Sequence, residues 1–303
     1  MVSRTLLWLA DQQRFRRFIV NSRLTRPVVD RFVAGDTADD AVRAIKSLNA
    51  SGIGGILDLL GEGVTRREEA ESAAADYLAA IKRIETDALD TTVSVKLTQL
   101  GLAFDKGGCI DHLRRLAAEA AAVGSSIEID MEQSDFVVDT LDVYRVLQAD
   151  FPDIRVAMQA YLRRTPVDLE TMAELRPRVR LVKGAYAEPH DIALGTRKEI
   201  DRQFMFLTTW LFERGSVPAI ASHDDALLAH ARRTAENTGC DRNGFEIQML
   251  FGVRRDLQER LAREGYRVKV YVPFGSAWYP YLMRRIAERP ANLRFFLRSV
   301  IGR

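Results

Sequence analysis

The feature that most restricts this chain is an alternation, repeated eight times, of a short β-rich run with a longer amphipathic stretch. The runs fall at residues 53–59, 92–97, 126–130, 155–160, 179–183, 217–222, 245–250 and 266–272. Helical patterns follow them at 66–86, 110–122, 137–149, from Thr165 onward, 197–214, 224–238, 254–264 and 278–288. Thr165 followed by Pro166 marks a helix start, with proline at the first helical position. Eight strand-then-helix units in strict order predict an α/β fold, a (β/α)8 barrel of the TIM type. A doubly wound open sheet is the competing arrangement, but its dinucleotide fingerprint is missing. Gly61-Glu62-Gly63 opens a GxGxxG pattern, and Arg66 stands where the last glycine belongs.

A length of 303 residues allows two domains of about 150 residues each, or one large barrel. No linker, low-complexity segment or short repeat interrupts the pattern. The expectation is therefore an N-terminal helical extension over residues 1–50 and a barrel over 51–303 that includes the last helix. In the extension, Leu6, Leu7, Trp8, Phe15, Phe18 and Ile19 form an apolar face among Arg4, Arg14, Arg16 and Arg17. Such a helix packs on the barrel with its arginines in water, or touches a membrane surface. The Arg-rich tail (Arg289, Arg294, Arg298, Arg303) poses the same choice.

Composition removes several function classes. A chain 47% hydrophobic and 28% charged is not disordered, and 44 Lys and Arg against 42 Asp and Glu give no reason to expect a nucleic-acid partner. No apolar run approaches the ~20 residues that span a bilayer. The two cysteines form no CxxC motif, which points to a reducing cytoplasm. His112, His190, His223 and His230 lack metal-site spacing, and no GxSxG elbow supports a serine nucleophile. Cys109 and Cys240 read as packing residues rather than nucleophiles.

The strand ends carry the chemistry. In this fold the open mouth lies at the C-terminal ends of the strands. Lys96, Asp130, Gln159, Arg180 with Lys183, Ser222-His223, Gln248 and Tyr271 close the apolar runs. Charged groups there are costly to bury unless paired or met by a ligand. Lys96, Arg180, Lys183, Arg284 and Arg285 have few obvious acids nearby, which suits an anionic ligand such as a carboxylate or phosphate. On the last helix Tyr281, Arg284, Arg285 and Glu288 share one polar face, and spacing alone reads that face as exposed and salt-bridged.

Four of these runs, with the last helix, resemble the proline dehydrogenase family. They are Gln159-Ala160-Tyr161-Leu162-Arg163-Arg164-Thr165, Arg180-Leu181-Val182-Lys183-Gly184-Ala185-Tyr186, Phe245-Glu246-Ile247-Gln248-Met249-Leu250 and Tyr271-Val272-Pro273-Phe274-Gly275. The helix is Tyr281-Leu282-Met283-Arg284-Arg285-Ile286-Ala287-Glu288. The resemblance covers about residues 40–300 in the right order, and the length is similar to that of the monofunctional bacterial form. It implies a distorted (β/α)8 barrel holding FAD. It also implies oxidation of L-proline to Δ1-pyrroline-5-carboxylate by hydride transfer to flavin N5, with a quinone reoxidising the flavin. That is the first step of proline catabolism, in the cytoplasm or peripherally at the inner face of a membrane; no oligomeric state is assigned.

By the same resemblance, Asp130 is the active-site acid and Arg180 the flavin-facing arginine. Lys96, Arg284 and Arg285 match contacts to the substrate carboxylate. Tyr186, Leu250, Tyr271 and Tyr281 match residues packing around the proline ring, and Glu288 a partner of the arginines. Met131, Gln159, Arg180, Lys183, Gly184, Ala185, Ser222 and His223 fall on flavin-binding positions. Asp224 stands where the family often has Asn, and Ser222 where Thr is common. Alternatives are another flavin-dependent barrel, a hydroxyproline-preferring dehydrogenase, or an inactive scaffold. Tyr271 favours proline, because its bulk leaves little room for a ring hydroxyl. The retained Lys96, Asp130, Arg180, Arg284 and Arg285 argue against a scaffold.

Overall fold

Side chains of a strand point alternately to its two faces, so each strand here has to satisfy both a helical layer and a barrel interior. The computed structural model describes residues 26–61 and 63–288. Its strands are β1 (Gly54–Leu59), β2 (Thr91–Val95), β3 (Ile127–Ile129), β4 (Arg155–Gln159), β5 (Val179–Val182), β6 (Ala219–Ala221), β7 (Glu246–Leu250) and β8 (Arg267–Phe274). They are parallel and close in sequence order, with β8 pairing back onto β1. The expected (β/α)8 barrel is present.

The described helices are α1 (Arg26–Phe32), α2 (Ala38–Asn49), α3 (Arg67–Thr86), α4 (Lys106–Ala122), α5 (Val137–Gln148), α6 (Thr165–Glu170), α7 (Arg197–Arg214), α8 (Asp225–Thr238), α9 (Arg255–Arg263) and α10 (Trp278–Glu288). Side-chain caps set several of their starts. Thr37 with Asp40 and Thr196 with Glu199 form capping boxes on α2 and α7. Asp105 caps α4, which therefore starts at Lys106 rather than at 110. The basic N-terminal pattern of residues 4–19 and the arginines beyond α10 lie outside the described residues.

Outward strand residues such as Leu57, Val93, Ile129, Val156, Leu181 and Val270 join the helices in one core. Two helices depart from a regular barrel. Helix α2 precedes the first strand yet packs on β8 and β1, the slot that a helix after β8 would fill. It sits so close that a Cβ on Gly55 would come within 2.9 Å of Ile45. Helix α10 leaves the outer ring and packs with α1 in a second cluster of Val29, Phe32, Val33, Leu60, Trp278, Tyr279, Tyr281, Leu282 and Met283. The segment after α1 is tied to the end of β8, where Ala34 N–H donates to Pro273 O and Gly275 N–H to Gly35 O.

The barrel interior is polar. Arg155 donates to Glu246 across the barrel at 2.6 Å and to Glu128 at 3.3 Å. Gln248 donates to Glu128 and to Glu246, each at 3.0 Å. Thr92 donates to Glu128 at 2.7 Å. Burial alone would raise the carboxyl of Glu246, but Arg155 and Lys269 hold it well below the usual carboxylate range. Replacing Arg155 with methionine removes the cation that two buried carboxylates share, leaving Glu128 only Arg180 at 3.6 Å and Glu246 the more exposed Arg267 and Lys269. Arg155→Met is expected to lower unfolding free energy by about 3–5 kcal/mol in urea denaturation. A loss below about 1 kcal/mol, the scale of an exposed ion pair, would contradict this account.

Candidate active site at the barrel mouth

Above that layer, the inward positions at the strand ends converge on one cluster. Lys96 and Asp130 follow directly on β2 and β3, Arg180 lies in β5, and Tyr271 in β8. The Lys96 ammonium donates to Asp130 Oδ2 at 3.1 Å and to Asp58 Oδ1, from β1, at 2.7 Å. Tyr271 Oη donates to Asp130 Oδ2 at 2.6 Å. Ser94 Oγ donates to Asp130 Oδ1 at 2.8 Å, and Arg180 Nη2 reaches both Asp130 Oδ1 and, at 3.0 Å, Ser94 Oγ. The Arg180 guanidinium also lies over the Tyr271 ring, 5.4 Å from its centroid. Four predicted residues thus form one hydrogen-bonded group.

Each charge in it is fixed by its neighbours. Burial would raise the carboxyl of Asp130, but Lys96 and Arg180, with hydrogen bonds from Tyr271 and Ser94, hold it below its ordinary value. Burial would lower the lysine ammonium, yet Asp58 and Asp130 push it well above the usual value. Burial raises the Tyr271 phenol, and Asp130 raises it further. Asp130 is therefore an anion, Lys96 a cation and Tyr271 a neutral donor throughout the neutral range. Such an acid orients cations; it does not remove protons.

Sequence reasoning gave these cations few acids, and the structure corrects that reading. Lys96 has Asp58 and Asp130, Arg180 has Asp130 with Glu128 at 3.6 Å, and Lys183 has Asp201 and Asp224. Asp58, Ser94 and Glu128 went unnoticed as site residues. The signal for Asp58 was its place in an apolar strand, where a carboxylate needs a partner.

The other predicted residues line the adjoining loops. Gly184 has φ +122°, and a Cβ there would strike the Tyr161 ring at 2.1 Å, so the loop after β5 lies flat on that ring. Gln159 accepts from Ala185 N–H at 3.4 Å and donates to Glu132 O at 2.9 Å. Leu250 N–H donates to His223 Nε2 at 2.9 Å, which leaves the ring proton on Nδ1 of a neutral imidazole. Ser222 Oγ accepts from Asp224 N–H at 3.1 Å. Met131 is buried in the main core.

On α10 the described side chains of the expected polar face are not exposed. Tyr281 is buried, and Arg284 and Arg285 are half-buried. Arg284 lies over the Tyr186 ring at 5.7 Å and Arg285 over the Tyr281 ring at 5.3 Å. Glu288 ends the helix, and its side chain is outside the described residues. Tyr271 joins the two halves of the site: it packs against the α1–α10 cluster while its hydroxyl holds Asp130. The cysteines take no part. Cys109 is buried, and its thiol is pushed up to about 12 by desolvation. Among the described residues no group of His, Cys, Asp and Glu could hold a metal ion.

The Tyr271–Asp130 bond yields a pH-resolved prediction. A hydrogen bond to a charged acceptor contributes about 1.5–3 kcal/mol, so Tyr271→Phe should lose that much stability at neutral pH. Because the folded Asp130 titrates below its unfolded value, the stabilisation is complete above the unfolded carboxylate range. It is lost as pH falls through the folded value. The wild-type and variant stabilities should therefore converge in acid, measured by denaturant titration at several pH values. A difference constant with pH would show that Tyr271 does not act through the carboxylate.

Comparison with known proteins adds the lineage. A family model described as proline dehydrogenase matches residues 41–298. Proline dehydrogenase 1 of Bacillus subtilis (strain 168) is 37% identical over 301 residues, covering 99% of each chain. Proline dehydrogenase of Deinococcus radiodurans is 36% identical over 279 residues, covering 90% of each. Among solved structures, proline utilization A (PutA) from Bdellovibrio bacteriovorus, inactivated by N-propargylglycine, superposes with a TM-score of 0.82 at 23% identity. That likeness is one of fold, and it covers 93% of this chain and 38% of the longer one. Matched along nearly its whole length by a family model and by monofunctional bacterial relatives, the chain belongs to the proline dehydrogenase family.

Proposed function

We propose that this chain oxidises L-proline to Δ1-pyrroline-5-carboxylate with FAD as its cofactor and a quinone as the final acceptor. The observation that carries this reading is the mouth cluster of Lys96, Asp130, Arg180 and Tyr271, with Arg284 and Arg285 nearby on α10. Relatives named proline dehydrogenase align over nearly the whole chain, which supports the same substrate.

The residues present fit a flavin. Gly184, with φ +122° and no room for a Cβ over the Tyr161 ring, keeps the loop after β5 flat, as a planar ring system requires, whereas Arg180 Nη1 is turned to Glu128 Oε2 at 3.6 Å. Arg180, Gln159 and the Lys183–Ala185 loop would hold the ring system, and Ser222 and His223 the remainder. When bound, FAD supplies the two-electron acceptor, which no side chain can provide. The protein's part is binding, orientation and charge.

Lys96, Arg284 and Arg285 bring three cations to one small carboxylate, and two neighbouring arginines can grip it in bidentate fashion. Such a clamp fixes the ring carbon from which hydride leaves, and fixed geometry removes much of the entropic barrier. Tyr186, Leu250, Tyr271 and Tyr281 supply apolar surface around the ring. Tyr271 cannot swing aside without leaving Asp130, so it is a rigid wall that favours proline over hydroxyproline. Asp130 keeps Arg180 and Lys96 in place. Lys96 is already protonated, and Asp130, whose cations and hydrogen bonds make it an unusually weak base, cannot hold the proline proton, so the amine has to lose it to water first.

Two outcomes are expected. Purified protein should be yellow, and its absorbance bands should bleach when L-proline is added without oxygen; colourless protein, or bands unmoved by proline, would reject the assignment. Turnover should rise from neutral to alkaline pH as the amine deprotonates, and a flat profile would contradict the proton argument. No described helix is long and apolar enough to cross a membrane. Contact with a quinone-bearing membrane would therefore be peripheral.

A further inference from the structure

We propose that Asp58 is the positioning residue of the site: it holds the Lys96 ammonium in place, and in its charged form, for the substrate carboxylate. This inference rests on the reading of Lys96 as a carboxylate contact. Asp58 lies on an inward position of β1, opposite Ser94, and is 0% exposed. Its Oδ1 is 2.7 Å from Lys96 Nζ, closer than Asp130 at 3.1 Å. Asp130 is moreover shared with Arg180, Ser94 and Tyr271. Asp58 Oδ1 accepts from the lysine and Oδ2 has no hydrogen-bond partner among the described residues; burial and the Asp130 charge raise the Asp58 carboxyl, and Lys96 is the largest influence opposing them. A fully buried carboxylate needs a cation, and the one beside Asp58 is Lys96.

The groups facing Lys96 fix what happens without it. They are Asp58 from β1, Asp130 and Glu132 after β3, Arg180 from β5, Tyr271 from β8 and Tyr77 from α3. Glu132 is committed to Thr98 through its backbone N–H and its hydroxyl. The tyrosines stay neutral, since burial raises both phenols. With Asp58 neutralised, Lys96 and Arg180 divide the single charge of Asp130. An uncompensated buried ammonium then gives up its proton far more readily. Among the charges that raise the Lys96 pKa, that of Asp58 is the largest.

The test is binding of cyclopentanecarboxylate, which has the shape and charge of proline without its oxidisable amine, measured by calorimetry on the purified full chain between about pH 7 and 10. Wild-type affinity should be flat with pH. In Asp58→Asn it should fall, by up to about tenfold per pH unit, above the pH at which Lys96 loses its proton. In a Lys96→Met background the asparagine should cost no more than about twofold, since the residue it serves is gone. A flat profile for Asp58→Asn overturns the inference, as does a further tenfold loss in the methionine background, which would mark a structural role. Should Asp58→Asn not fold, the Asp58→Asn/Lys96→Met pair decides, because both charges leave together. It should be more stable than Lys96→Met alone, and a double variant that is no more stable overturns the pairing. Wild-type protein that binds no cyclopentanecarboxylate overturns the proposed function together with the role of Asp58. Wild-type binding with a pH-independent Asp58→Asn variant overturns the role of Asp58 alone.

Discussion

The rest of this structure depends on a charge balance inside the barrel. Asp58, Glu128, Asp130 and Glu246 face Lys96, Arg155, Arg180 and Lys269 across strands β1 to β8. A barrel of this type usually fills its interior with branched apolar side chains. Here several of those positions are ionised, and unpaired charges in such a place would cost several kcal/mol each. The structure tolerates them because four acids meet four bases. Glu128 touches both Arg155 below and Arg180 above, so the floor of the barrel and its mouth share one network. Hydrogen bonds that cross from β4 to β7 and from β5 to β2 also brace the barrel.

That balance shapes how the mouth treats a ligand. The four groups Asp58, Lys96, Asp130 and Arg180 sum to zero, so the inner wall alone exerts little net pull on an anion. Arg284 and Arg285 arrive on a helix held by different forces. Helix α10 is anchored by apolar contacts with α1, and its arginines rest on tyrosine rings. The mouth is thus built from a charge-balanced wall and a separately anchored helix, with Tyr271 touching both. Such a division lets the wall stay fixed by its own hydrogen bonds whatever the helix does.

Much of the fold was legible because the outward face of each strand obeys the ordinary rule. Runs such as Thr92–Leu97 and Phe245–Leu250 keep enough Val, Ile, Leu and Met to read as buried strands, and caps at Thr37, Thr196 and Asp105 explain the helix starts. Lys96, Asp130, Arg180 and Tyr271 stood out as polar residues at strand ends. Asp58 did not, because a single aspartate inside an apolar run looks like an irregularity until its partner, 38 residues on, is seen beside it. The exposed reading of α10 failed for a related reason. Spacing shows which residues share a helix face, whereas cover comes from Tyr186 and the α1 cluster, which are distant in sequence.

Asp224 shows how far a single residue can be read. As the residue before α8 it accepts from Ala226 N–H, a capping role that asparagine performs equally well. The carboxylate adds something the amide could not. It receives Arg197 at 2.7 Å and Lys183 at 3.4 Å, while Asp201 receives the same two cations. This second set of two acids and two bases is neutral as well, on the half-exposed rim rather than in the interior. With asparagine at 224 the rim would carry one more positive charge, held by Lys183 and Arg197 with only Asp201 between them. The aspartate therefore matters for its charge and not for its cap, and it extends to the rim the pairing that governs the barrel's interior.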